Sequence, residues 1–200
     1  MIRVLTQADA TWAAQQHAAL MPNSVFAAFG VGFLRCFYRV FAQSKHAVAY
    51  VWEDASKPAA VITATSNRSA FLRGLILRHG PMLAAYAVLG LMHKPCRRLV
   101  AQLRHYPRHG GDTPIQAEMI FITVDPCCRG KKVAHRLIEA VLSDYAARRV
   151  NRVHVTIERA NAGVRRILDG FGFKVVSSFL LADKQNDLLQ LNMAERGTTP

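Results

Sequence analysis

Two hundred residues, 51% of them apolar, are enough to bury a substantial core as one domain, or one domain with a large insertion. Charge is the unusual quantity: 26 Lys plus Arg against 13 Asp plus Glu leave +13, so the partners are acidic in character, whether phosphates, a nucleotide-linked molecule, nucleic acid or an anionic membrane. The four cysteines, Cys36, Cys96, Cys127 and Cys128, have no metal-ligand spacing and no disulfide pattern, and the opening MIRVLTQAD lacks the apolar run of an export signal. Both point to reduced thiols in a cytoplasmic protein, with no metal.

Residues 2–5 read as a short first strand. Thr6 and Asp9 offer caps for a helix over 11–20, which Pro22-Asn23-Ser24 breaks and restarts. The next helix carries Phe26, Phe29, Phe33, Phe37 and Phe41 at spacings of three and four, an aromatic stripe that belongs in a core. Residues 47–52 and 59–65 form two strands joined by the polar turn Glu53-Asp54-Ala55-Ser56-Lys57-Pro58. From 55 to 111 there is no acidic residue, while Lys57, Arg68, Arg73, Arg78, Lys94, Arg97, Arg98, Arg104 and Arg108 supply nine cations. Inside lies PMLAAYAVLGLM, 81–92, twelve residues without a charge, too short for a bilayer span of ~20 residues. It reads as one arm of a helical hairpin packed on the domain, or as a helix lying in an anionic membrane surface.

In 117–124 both alternating sets are largely apolar, Met119, Phe121 and Thr123 against Ile120, Ile122 and Val124, as in a strand buried on two sides. Asp125-Pro126 ends it, since proline has no backbone donor. From Val133 the apolar residues Ala134, Leu137, Ile138, Val141, Leu142 and Tyr145 recur on one helix face. Arg129-Gly130-Lys131-Lys132 therefore sits on a helix N-terminus, where unpaired N–H groups and the dipole favour an anion. Residues 152–157 alternate as another strand, and Glu158-Arg159-Ala160-Asn161 leads into a short helix ending near Gly170, before Phe171-Gly172-Phe173.

The run V-D-P-x-x-R-G-K-K-V-A resembles the acetyl-CoA loop of the GNAT superfamily of N-acetyltransferases, Gln/Arg-x-x-Gly-x-Gly/Ala at the helix after the fourth strand. Arg129 and Ala134 fit; Lys132 stands where the pattern has its middle glycine. Asn161 and Gly172-Phe173 match the family's second half, and Leu168 falls where a tyrosine usually protonates the departing thiolate. The resemblance covers 115–193 well and the preceding elements loosely. It implies an α/β fold with a mixed, mostly antiparallel central sheet, flanking helices and a splay between the fourth and fifth strands. It also makes 66–112 an insertion where the family needs only a hairpin turn, in a single N-acetyltransferase domain over 1–200.

The resemblance further implies acetyl-CoA as co-substrate, with the donor held by Arg129, Gly130, Lys131, Lys132, Val133 and Ala134, by the backbone of Ile122, Thr123 and Val124, and by Asn161. Some members keep a catalytic glutamate near the start of the fourth strand, and Glu118 matches that position. An amine with a pKa of ~10.4 is almost all protonated at pH 7, so a general base helps, by roughly 10²–10⁴. Glu118 lies six residues before Val124, about 20 Å along an extended strand, which is comparable with a pantetheine arm. The expected activity is acetyl transfer to a primary amine of a small-molecule or sugar-type acceptor, anionic or nucleotide-linked where the basic insertion holds it. Two alternatives stand beside it: a degenerate acyl-CoA-binding module, suggested by Leu168 and Lys132, and a membrane-surface or anion-binding protein at the inner membrane through 66–112. No nucleic-acid motif accompanies the charge. Oligomeric state is not legible.

Overall fold

A computed structural model of the chain describes residues 1–24, 26–91, 109–110, 113–181 and 183–194. Its apolar and alternating runs become the strands β1 (Ile2–Val4), β2 (Ala47–Asp54), β3 (Lys57–Thr65), β4 (Ala117–Val124), β5 (Arg152–Glu158), β6 (Lys174–Leu181) and β7 (Lys184–Asn192). They pair in the order β1-β2-β3-β4-β5-β7-β6. Every neighbouring pair is antiparallel except β4 with β5, which is the mixed sheet expected from the sequence. A two-residue ladder, His109–Gly110 with Thr113–Pro114, forms separately.

The segments of helical period are α1 (Ala10–Leu20), α2 (Gly30–Gln43), α3 (Arg68–Leu91), α4 (Val133–Ala147) and α5 (Ala162–Gly170). On one face of the sheet Leu137, Ile138, Val141 and Leu142 of α4 and Leu168 of α5 form one buried cluster with Ile62, Met119, Val155 and Leu189. On the other, Ala13 and Ala14 of α1, Leu34 and Phe37 of α2 and Phe71 of α3 form a second with Val51 and Val61. Each large side chain so buried contributes ~1.5–3 kcal/mol. Thr6 and Asp9, the residues expected to cap the first helix, instead bond each other around a 3-10 turn over Gln7–Asp9 that leads into α1: Asp9 accepts from the Thr6 N–H and hydroxyl at 2.8 and 2.7 Å and from Arg3 at 2.7 Å through both oxygens, and its side chain makes no capping bond to α1. That guanidinium, more than the Thr6 bonds, draws the Asp9 carboxyl down to about 2.

Four local expectations change. The aromatic stripe predicts one helix, but Gly30, at φ +87°, separates a 3-10 turn over Ala27–Phe29 from α2. The stripe survives the break: Phe26 lies 4.8 Å from Phe37 and 5.2 Å from Phe121, ring centre to ring centre. The polar turn over 53–58 tightens to Ala55 and Ser56, both at positive φ, with Asp54 paired to Lys57. Neither is Gly or Asn, so the usual mark of such a hairpin is missing. The apolar stretch starting at Pro81 belongs to a longer helix, because α3 begins at Arg68 and runs through that proline; the second arm of the expected hairpin lies on 92–108, outside the described residues.

The fourth change is in β4. Thr63 pairs with Phe121 and Ala64 with Met119, so Ile120 is an extra residue in the ladder. This bulge resets the alternation. Ile120 and Phe121 both pack on the α1–α2 side, while Met119 and Ile122 pack on the α4 side.

Candidate active site

The bulge falls where β4 leaves β5. Their parallel ladder pairs Ala117 with Val153, Glu118 with His154 and Met119 with Val155, and then stops, although β4 runs on to Val124 and β5 to Glu158. A bulge bends its own strand and adds twist, so the two strands diverge. Ile122, Thr123 and Val124 lie on the part of β4 with no β5 residue in register, the position at which the sequence reading puts the donor's amides. Ile122 and Val124 are half-buried. Thr123 is 3% exposed and its Oγ1 has no hydrogen-bond partner, as is true of Thr63 Oγ1 on the neighbouring strand.

Beyond the divergence comes the cationic turn. Asp125 Oδ1 accepts from the Cys127 N–H at 2.9 Å and sets a 3-10 turn over Pro126–Cys128, with proline where no donor is needed. Arg129 follows in extended conformation; Gly130 at φ +78° and Lys132 at φ +58° then swing the chain into α4. The family's glycine at this place thus corresponds to a left-handed backbone that a lysine here adopts. The first amides of α4, from Val133 and Ala134 onward, have no helical acceptors and carry the positive dipole end. Val133 is buried in the α4 cluster and anchors the turn.

The cations of this turn differ in their engagement. Lys131 Nζ stands 3.4 Å from Asp54 of β2, with 58% and 48% of the two side chains exposed. Asp54 also accepts from the Cys128 thiol at 3.4 Å, and that contact, then Lys131, keeps its carboxyl below the ordinary range. An exposed pair of this kind is weak. One turn further along, Arg136 lies over the Trp52 ring at 5.4 Å. Cys127 and Cys128 have their sulfurs 3.6 Å apart and are unbonded, like Cys36; Cys96 lies outside the described residues.

Glu118 sits in the paired part of β4, before the point at which β4 leaves β5. It is 5% exposed, and Arg68 Nε, from the first residue of α3, is 3.5 Å from its Oε2. The backbone of Arg68 donates to the Gln116 carbonyl at 2.7 Å. Beneath, the buried Tyr145 hydroxyl is shared between the carbonyls of Thr65 and Glu118, at 2.9 and 3.2 Å. Next to Glu118 in the β5 register is His154, 1% exposed, whose Nε2 lies 3.0 Å from Gln190 Oε1. Burial pushes the His154 imidazole below its usual range, outweighing the Gln190 bond. Thr65, Glu118, His154 and Gln190 therefore form a polar row across β3, β4, β5 and β7, since cross-strand partners share a face. Sequence reasoning found Glu118 alone. Its surroundings come from residues 27 to 72 positions away, with no local signal.

Asn161 and Leu168 belong to α5, the one as its N-cap and the other on its buried face. Asn161 Oδ1 accepts from the Val164 N–H at 3.2 Å and caps α5, so its Nδ2 is the group it can offer a ligand. Leu168 is 1% exposed within the α4 cluster. The turn before Asn161 is fastened by Asp187 of β7, which accepts from Arg159 at 2.8 Å, Ser178 at 2.7 Å and Arg165 at 3.1 Å. With Leu168 in the tyrosine's place, other tyrosines are the groups to weigh as proton donors: Tyr50 donates to Asp144 at 2.9 Å, Tyr145 is buried, and Tyr106 lies outside the described residues. Among the described residues no group of three or more His, Cys, Asp or Glu side chains is arranged for a metal ion.

A splayed parallel pair within an otherwise antiparallel sheet, with a cationic turn at a helix start beside it, defines an acetyltransferase-type α/β fold. The comparisons agree. The model of the Acetyltransferase (GNAT) family matches residues 19–173, and the chain belongs to that family. Among solved structures, SsHAT is 19% identical with a TM-score of 0.65, each chain covering 98% of the other. The yncA protein of Salmonella typhimurium, solved with its cofactor acetyl-CoA, is 14% identical over 96% of this chain and 93% of that one, with a TM-score of 0.61. A ribosomal-protein alanine N-acetyltransferase from Escherichia coli is 12% identical with the same coverages and a TM-score of 0.57. At these identities the likeness is one of fold. No curated protein sequence matches.

Proposed function

We propose that the protein transfers the acetyl group of acetyl-CoA to a primary amine of a small-molecule or sugar-type acceptor, by direct attack with Glu118 as general base. The observation that carries this reading is the end of the β4–β5 ladder at Met119, between a buried carboxylate on one side and a cationic helix start on the other. The pyrophosphate would meet the amides from Gly130 to Ala134 with Arg129, Lys131 and Lys132 around it. Lys131 can leave Asp54 for a phosphate at little cost, because that pair is solvated. The pantetheine amides would pair with the backbone of Ile122, Thr123 and Val124 as a short extra strand, and an N–H there would polarise the thioester carbonyl. Asn161 Nδ2 faces the same coenzyme.

In the reaction the amine loses its proton to Glu118, directly or through one water, and its nitrogen bonds the acetyl carbon as the carbon–sulfur bond breaks. Arg68 and Tyr145 hold the carboxylate side chain and its backbone in place. Leu168 offers no proton to the departing sulfur, so the thiolate leaves as such or takes its proton from water. Isothermal titration with acetyl-CoA, followed by thiol release on a panel of amino sugars, polyamines, nucleotide-linked amines and peptide N-termini, tests the reading. Glu118→Gln should bind acetyl-CoA as the wild type does and lose ~10²–10³ in kcat. Absence of coenzyme binding, or full kcat in the variant, would sink it. Leu168 favours a second reading, a module that binds acyl-CoA without turnover, which the same panel separates.

A further inference from the structure

The geometry points to the outer face of α3 as a docking surface for an anionic lipid bilayer. Among the described residues, four of the ten exposed large apolar side chains lie on this one helix: Leu72 at 42%, Ile76 at 62%, Leu77 at 83% and Val88 at 62% exposed. Its inner face is already used. Phe71 packs on Phe41 with ring centres 4.6 Å apart, and Tyr86 meets Phe33 at 6.0 Å. The crossing is close, since a Cβ on Gly32 would stand 2.8 Å from the Tyr86 hydroxyl. Leu77 and Val88, eleven residues apart and so on one side of a 3.6-residue helix, project away from that inner face and Ile76 stands on its flank, with Pro81, Ala84 and Ala85 also exposed along the helix between Leu77 and Val88. Arg73 and Arg78 are exposed among these apolar residues, and no acidic residue occurs from 55 to 111.

Charge and apolarity together select the occupant. A second copy of the chain could cover the apolar residues, but it would set one +13 molecule against another. Nucleic acid would satisfy the arginines and leave Leu77 and Val88 in water. The headgroup region of an anionic bilayer takes both, with apolar side chains entering the acyl boundary and arginines meeting lipid phosphates. The helix lies on the surface, because no described helix is long and apolar enough to cross a membrane.

Cosedimentation of the full chain with vesicles of phosphatidylcholine alone, or mixed with phosphatidylglycerol, tests this. Partition should favour the anionic vesicles and fall as salt rises. Leu77→Glu with Val88→Glu should lower it at least ~10-fold, and Arg73→Gln with Arg78→Gln by about 25-fold at low salt, ~5-fold per arginine. Thermal unfolding and acetyl-CoA titration of each variant show that fold and donor site are intact, so vesicle binding and the proposed transfer fail separately. Should the glutamate variant unfold, Leu77→Trp supplies the same readout, the emission of the introduced indole shifting blue on anionic vesicles. No partition, partition indifferent to the glutamates, an unshifted emission from the Leu77→Trp variant, or a lipid-free dimer that the glutamates dissolve would each overturn the proposal.

Discussion

Lys132 holds φ at +58°, a conformation that costs a residue with a Cβ ~1–2 kcal/mol. Replacing it by glycine removes that strain and adds chain entropy to the unfolded state worth roughly 0.5–1 kcal/mol. Lys132→Gly should therefore raise stability by about 0.5–1 kcal/mol, or ~1–4 °C in Tm, while losing one cation and weakening acetyl-CoA by up to ~10-fold. Thermal melts and titration calorimetry on one sample would show the two changes in opposite directions. His17 gives a second test. It is fully buried, between Tyr38 at 3.0 Å and Ser24 at 2.8 Å, and desolvation lowers its imidazole to about 4. The unfolded chain takes up that proton near 6.5, the folded one near 4, so this stabilisation is complete above 6.5 and lost as pH falls toward 4. It amounts to roughly 3 kcal/mol in full. His17→Gln should lose less Tm between pH 7 and 5 than the wild type does. The turn from Arg129 to Ala134 was legible because its residues are contiguous. The Lys131–Asp54 contact was not, because 77 positions separate the partners.

At the scale of elements, α5 is the case in which one residue serves structure and site together. Its cap is a single Asn161 side-chain bond, and truncation of such a cap costs ~1 kcal/mol. Asn161→Asp should keep the cap, since an acidic acceptor suits a helix N-terminus, yet bring a negative charge toward the pyrophosphate. Thermal stability within ~0.5 kcal/mol of wild type with acetyl-CoA binding down ~10-fold is expected for Asp, whereas Asn161→Ala should lose ~1 kcal/mol of stability and, without the Nδ2 donor, about 5-fold in binding. Wild-type binding in both variants would leave Asn161 a cap and nothing more. The helices and most strands were legible through their periods of 3.6 and 2, and so was the start of α4 at Val133. The Ile120 bulge was not, because Met119-Ile120-Phe121-Ile122 is apolar throughout and period-2 reasoning needs contrast to reveal a slip. Ala55-Ser56 likewise carries no Gly or Asn to announce a two-residue turn.

For the whole molecule, the mostly antiparallel sheet and its splay after the fourth strand followed from the family resemblance, whereas the polar row around Glu118 exists only once four strands are side by side. Charge acts at the same scale. Nine ion pairs are present among the described residues, and salt weakens each exposed one by a few tenths of a kcal/mol at most. Against them stands a net charge of +13 on a 22.2 kDa chain, whose mutual repulsion acts over distances well beyond a contact. At 0.01 M ionic strength the Debye length is ~30 Å, about the width of the molecule, and at 0.15 M it is ~8 Å. Adding salt across that range removes long-range repulsion while leaving the short, partly buried pairs of Arg3 with Asp9 and Arg159 with Asp187 largely in place. Stability should therefore rise with salt, by roughly 1 kcal/mol or 2–4 °C in Tm. Scanning calorimetry with sodium chloride decides it, since a Tm that falls with salt would mean that the ion pairs, not the net charge, govern the electrostatics of this fold.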